Sequence, residues 1–548
     1  MKYAITIALM LSLSFGLITE SFRYQSTANL WEDDYDLLFD PARIPEIEGS
    51  RLWTSLSNFV TGGEELFSNG SVPYFLIGGT KNFGKYYPGL VYDRTSANTP
   101  LNTGLVDPYG NDIYGEGSVT TVDWTLDSLG NRTDRDVTIA SRTAFDKTAG
   151  SDYYVAVGTR MNNFRFGLGY LHNDSKTTMT DTANNYTSYY YEEDYEEDTL
   201  KYSDSITFAG DDITKSSENE IILSAWLDKE VMSFGGDVRY EMLSDNSEAV
   251  ITGYEAEYFI PEDPAHYYTL TSDLDSMLLP ESGNRISINL KAFYDYNDYA
   301  QGRFYAGFFT KSTSYGDDAQ SFVNQTIEDE NDPELTLTTA TTISDYDGDF
   351  SSNGFRVGTK QLFEISDKFR FAFGFFLSTA SINDSATSMD STYTSVDYDD
   401  GDPDTLVQTS YNTYSYSTQT WVTTTEGNQM TVTIPIGVEF NLFDPFVLRM
   451  GARHSITKND LTTDYILDAW QPQYTYYSQE DGTTWENWAD PGSRPENSSE
   501  NDNQTIPATS YYYGFGWRVT DNLQLDVMNF SDITDWANWR LSATFHFD

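Results

Sequence analysis

Phe369-Arg370-Phe371-Ala372-Phe373-Gly374-Phe375-Phe376-Leu377 alternates apolar residues with small or charged ones. In an extended chain Phe369, Phe371, Phe373, Phe375 and Leu377 share one face, and Arg370, Ala372 and Gly374 share the other. A period of two is the pattern of a β-strand. The pattern recurs along the chain. Val432, Ile434, Ile436, Val438 and Phe440 oppose Thr431, Thr433, Gly437 and Glu439. Ile286, Ile288 and Leu290 oppose Arg285, Ser287, Asn289 and Lys291, and Phe164, Phe166 and Leu168 oppose Arg165 and Gly167. In a soluble sandwich such faces meet in a core. In a membrane barrel they face lipid and the polar faces line the lumen.

The connections separate these cases. Strand-like segments come in pairs across short turns, as in Asp152–Thr159 with Phe164–His172, Glu220–Asp228 with Met232–Glu241, Arg285–Asp295 with Gly302–Lys311, Gly354–Gln361 with Phe369–Ser378, Met430–Phe440 with Phe446–His454, and Ser510–Val519 with Asn522–Phe530. Between pairs lie long polar connections. Loops in compact domains are mostly about 4–6 residues long, whereas outer-membrane barrels combine short periplasmic turns with long extracellular loops. Adding Ser50–Phe59, Pro73–Phe83, Tyr86–Arg94 and Ala537–Phe547 gives about 16 strands. A count of 14 stays open, because Pro88 interrupts one segment and the first is weak. The sequence therefore predicts an all-β fold, a closed antiparallel transmembrane β-barrel over residues 50–548 with long acidic extracellular loops.

Composition narrows the function. The 548 residues hold 85 acidic and 32 basic side chains, a formal charge of −53, which argues against nucleic acid as a partner. Cysteine is absent, so disulfides and thiol chemistry are excluded. Four widely separated histidines (His172, His266, His454, His546) leave no metal-ligating spacing, so neither a metal centre nor a cofactor is expected beyond weak Ca²⁺ or Mg²⁺ binding by acidic loops. No GxSxG, SxxK or phosphate-loop motif is present, and an enzyme is not expected.

The apolar run Ala4–Ile18 behind Lys2 reads as a secretory signal peptide, residues 1–21, with small residues at Ser14/Gly16 and Thr19/Ser21 for cleavage. Export and the strand pattern together predict the outer membrane, with its lipid, its lipopolysaccharide and small solutes as partners. Residues 22–49 form a separate N-terminal segment, read as periplasmic or as a hatch. Its sequence runs Trp31-Glu32-Asp33-Asp34-Tyr35-Asp36-Leu37-Leu38-Phe39-Asp40-Pro41-Ala42 and reaches Gly49 before the first strand.

That segment resembles the N-terminus of the long-chain fatty-acid transporter family and related porin-like outer-membrane barrels of Gram-negative bacteria. In these, an acidic stretch is followed by Asn-Pro-Ala and a glycine. Here Asp40-Pro41-Ala42 stands at the Asn-Pro-Ala position. The resemblance implies a hatch within the barrel. Trp539–Phe547 is similar to the terminal strand read by the barrel assembly machinery, with Asp548 added.

The inward faces carry Arg165, Arg239, Lys291, Arg303, Arg356, Lys360, Arg370, Arg449, Arg453, Arg518 and Arg540, with Asp237, Glu241, Glu439 and Asp526 among them. Such a lining either screens solutes by charge or rigidifies the interior through Arg–carboxylate ladders. Two functions follow. The first is a porin or transport channel for small or hydrophobic solutes. The second is a surface structural or adhesive barrel whose acidic, Tyr-rich loops bind partners or divalent cations.

Overall fold

A computed structural model describes residues 19–57, 74–107, 109–126, 132–193, 197–259, 267–316, 318–331, 334–399, 411–479, 482–488, 494–529 and 539–547. The expected signal peptide, up to residue 18, lies outside them, as do parts of the acidic connections such as Asp400–Asp402. No helix among the described residues is long and apolar enough to cross a membrane.

Sixteen antiparallel strands close on themselves. They are β1 (Ser50–Ser57), β2 (Tyr74–Thr80), β3 (Tyr86–Pro100), β4 (Arg132–Met161), β5 (Phe164–Glu193), β6 (Glu197–Lys229), β7 (Met232–Phe259) and β8 (Tyr267–Asn297). There follow β9 (Ala300–Tyr315), β10 (Glu334–Ser366), β11 (Phe369–Asp399), β12 (Tyr411–Phe443), β13 (Phe446–Gln479), β14 (Thr505–Thr520), β15 (Leu523–Asn529) and β16 (Trp539–Phe547). Each pairs with its neighbours in sequence, and β1 pairs with β16, with Ser50 opposite Phe547. Closure leaves no unpaired edge in the apolar zone, which a bilayer requires of any spanning sheet.

The alternation is what sets the two faces. Ile286, Ile288 and Leu290 of β8 are exposed outward, as are Phe164, Phe166 and Leu168 of β5. Aromatics gather near the short turns, where Phe443 and Phe446 lie 5.5 Å apart and Phe446 stacks on Trp517 at 5.8 Å. Such a girdle marks the bilayer boundary. Tight hairpins close this end. Met161 pairs with Phe164, and Asn162 takes the positive φ of 56° that its turn needs.

The long connections continue the strands. β4 has 30 residues and β10 has 33. At roughly 3.3 Å per residue, 30 residues reach about 100 Å, several times the ~25 Å apolar band. Cross-strand threonine pairs run along this wall, including Thr148–Thr177 at 3.4 Å, Thr342–Thr392 at 3.3 Å and Thr425–Thr463 at 2.9 Å. The tall part runs from β4 to β13. A strand over Glu116–Leu126 flanks β4, and strands over Thr484–Trp488 and Ser498–Asp502 flank β13.

Candidate functional site

Residues 20–47 fold inside the barrel. A short helix, α1 (Phe22–Ser26), is capped by Ser21, whose hydroxyl accepts from the Tyr24 backbone N–H at 3.0 Å. Ala28 and Asn29 then take positive φ, 54° and 67°, and reverse the chain. A second helix, α2 (Asp34–Leu38), begins with a capping box between Asp33 and Asp36. Pro41–Glu46 is a 3₁₀ turn with proline at its start.

The segment touches strands around the whole circumference, which is possible only from within. Arg51 of β1 pairs with Asp34 at 2.7 Å. Tyr154 of β4 donates to the Leu38 carbonyl at 2.9 Å, and Arg165 of β5 pairs with Glu46. On β6 the Ser224 hydroxyl accepts from the Ala42 N–H at 2.7 Å, and the Trp226 Nε1 donates to Asp40 at 3.0 Å. Lys291 of β8 meets Asp40 at 2.9 Å, and Arg303 of β9 meets Glu32 at 2.8 Å. Lys360 of β10 donates to the Tyr24 hydroxyl at 2.7 Å, and Glu439 of β12 receives two bonds from Arg23, both 2.8 Å.

Apolar packing completes the filling. Phe22, Tyr35, Leu38, Phe39, Ile44 and Ile47 form one buried core with Trp53, Leu76, Val91, Tyr154 and Ile222 of the wall. Inward glycines make room for the backbone. A Cβ on Gly158 would lie 2.4 Å from the Pro41 carbonyl, and one on Gly451 would lie 2.5 Å from the Ala28 nitrogen.

Most charges of the segment face one of opposite sign. Arg43 lies between Glu32 (2.8 Å) and Glu46 (3.2 Å) and stacks over Trp226 and Phe293. Burial alone would raise the Glu32 carboxyl, but Arg43, Arg303 and Lys360 hold it well below the usual carboxylate range. Asp36 goes the other way. Burial, and then Asp33 beside it, push its carboxyl well above the ordinary value.

The basic residues expected on the inner face divide by partner. Arg165, Lys291, Arg303 and Lys360 bind the N-terminal segment. Arg239 pairs with Asp237 (2.8 Å) and Glu220 (3.1 Å), Arg370 with Glu364 (2.9 Å), and Arg449 with Glu439 (3.1 Å) and Asp526, all on the wall. Arg453 donates to Tyr512. Arg518 is exposed near the turn end and Arg540 is half-buried. Arg356 faces a lumenal cavity of about 290 Å³ bounded by β7, β8, β9 and β10. Asp40, Pro41 and Ala42 sit together at the centre of the bore, against Trp226, Gly167 and Ser224. The sequence reading did not single out Arg23, Arg43, Arg51, Glu32, Glu46, Glu220 or Trp226. The visible signal was the run of inward glycines opposite an acidic, aromatic N-terminal segment.

No protein-family model matches the sequence, and no curated protein matches it at a significant level. Among solved structures the chain is similar to the Ralstonia pickettii toluene transporter TbuX, with 10% identity and a TM-score of 0.32, over 98% of this chain and 100% of that one. It is similar to the copper transporter OprC, with 10% identity and a TM-score of 0.26, over 91% and 80%. A Pseudomonas aeruginosa FadL homologue gives 9% identity and a TM-score of 0.24, over 96% and 98%. The closed strand order and the apolar exterior stand independently of these likenesses. The chain is a closed, 16-stranded antiparallel β-barrel.

Proposed function

We propose that the protein is a transport barrel for small solutes whose bore is closed by residues 20–47 and opens when that segment shifts. The observation that carries this reading is the filled lumen. The segment is tied to the wall by ion pairs and hydrogen bonds, with its apolar side chains at or near zero exposure. A passive, permanently open pore would have water where Leu38, Ile44 and Trp53 pack. Under this reading outer-membrane lipid, lipopolysaccharide and the assembly machinery are its surroundings, and no catalytic step is required of it.

A crosslink tests this directly, because the chain has no cysteine of its own. Ala42→Cys with Ser224→Cys places two thiols where the segment already touches β6. In proteoliposomes, oxidation should stop swelling driven by small solutes and reduction should restore it. Equal swelling in both states would refute gating by this segment.

A second role is supported by the tall wall. Tyr474 packs on Trp488 at 4.7 Å, and Tyr477 stacks on Trp485 at 5.2 Å, far from the turn end. Exposed aromatic pairs of this kind suit carbohydrate or protein partners.

A further inference from the structure

We propose that the lumenal cavity on β7–β10 is a binding site for a small multivalent oxyanion, a di- or tricarboxylate or a phosphate. The cavity measures about 290 Å³ and lies one step further along the bore than Asp40, on the side away from the short turns. Four cationic side chains line it: Arg239, Arg285, Lys291 and Arg356. Two carboxylates, Asp237 and Glu241, share it with them. In a chain of net charge −53 this local excess of positive charge is unusual.

The carboxylates are already committed. Asp237 is held by Arg239 at 2.8 Å and Lys291 at 3.0 Å, and also accepts from Asn289 at 2.8 Å. Glu241 takes one contact from Arg285, at 3.3 Å. Arg285 thereby uses one terminal nitrogen and stacks its plane over Phe309 at 5.3 Å. Arg356 forms no ion pair or hydrogen bond among the described residues. Strand register places it on the same rung as Gly307, Asn289 and Asp237. Gly307 presents no side chain there, and the Asn289 side-chain oxygen leans over it, 2.8 Å from where a Cβ would stand. The charged neighbour of Arg356 is Arg285, a like charge.

Two guanidiniums facing one recess repel each other unless an anion lies between them. Each offers planar donors suited to bidentate oxyanion contact. The cavity is far larger than the roughly 10–15 Å³ that one water needs by the same measure. That fits a small polycarboxylate. The polar lining does not suit a long apolar chain. The use of this site as a stage in passage rests on the transport reading above. Binding itself does not.

The test is equilibrium dialysis of the folded full-length protein in detergent against labelled citrate, then against inorganic phosphate, at low and high salt. Wild type should bind in a salt-sensitive way. Arg356→Gln and Arg285→Gln should each weaken citrate binding by about tenfold or more, from loss of a charge-assisted contact. Arg94→Gln, exposed on β3, should leave it unchanged. Heat-modifiable mobility on gels confirms that each variant is a folded barrel. Absence of citrate and phosphate binding by the wild type, or unchanged binding by both cavity variants, overturns the site. Because no flux is measured, either result leaves the swelling assay to judge gating separately.

Discussion

At the scale of residues, most buried charges of the interior are given a partner of opposite sign. Asp40 is the clearest case, because it accepts from Trp226 and Lys291 at once and is 4% exposed. Asp40→Ala removes the acceptor and leaves Lys291 with Asp237 alone. Removing one member of a buried pair costs about 3–5 kcal/mol. The cost should fall on docking of the segment more than on the barrel, which keeps its strand pairing. Limited proteolysis should cut the variant's N-terminal segment sooner while the heat-modifiable barrel persists. Gly167→Leu carries a steric version of the same prediction. Its Cβ would lie 2.2 Å from the Pro41 carbonyl carbon, so the segment should be expelled and the barrel retained. Of this residue-level picture, the sequence showed the inward basic face and the wall carboxylates Asp237, Glu241, Glu439 and Asp526, but not the partners in the N-terminal segment. Arg165 and Lys291 were legible by alternation. That Glu46 and Asp40 answer them depends on contacts between residues 119 and 251 positions apart, and no local pattern carries that information.

At the scale of elements, the strand pairs were legible and their full extent was not. The lower part of each strand meets lipid on one face and the bore on the other, so hydrophobicity alternates, as in Ile286–Leu290. The upper parts, such as Thr336–Ile343, are wet on both faces and lose that contrast. What remained was their richness in threonine and tyrosine, which favour strands through cross-strand pairing. The segment itself is held as a unit by Arg23 on Glu439, Arg303 on Glu32 and Lys291 on Asp40. Glu439→Gln should therefore loosen α1 while the Asp40 end stays docked. Site-specific spin labels at Tyr24 and Ala42 should report greater motion at the first position only.

At the scale of the whole molecule, closure of the bore should depend on pH through two opposed groups. Glu32 sits well below the ordinary carboxylate value, so its contribution is present above the unfolded value near 4.3 and is lost as pH falls further. Asp36 sits well above the ordinary value, so its contribution is present in acid and is lost as pH rises through its raised folded value. Docking should be firmest near the unfolded carboxylate values, at about pH 4, and weaken on both sides. Protease accessibility of residues 20–47 measured across pH should show a minimum, and a flat profile would remove this account of the two carboxylates.

The filled bore is the central claim, and single-channel conductance in planar bilayers tests it most directly. The full-length protein should show a closed baseline with rare brief openings, and a chain lacking residues 22–46 should show large, stable steps. Large steady conductance from the intact protein, or silence from a truncated chain shown to be a folded barrel, would contradict it.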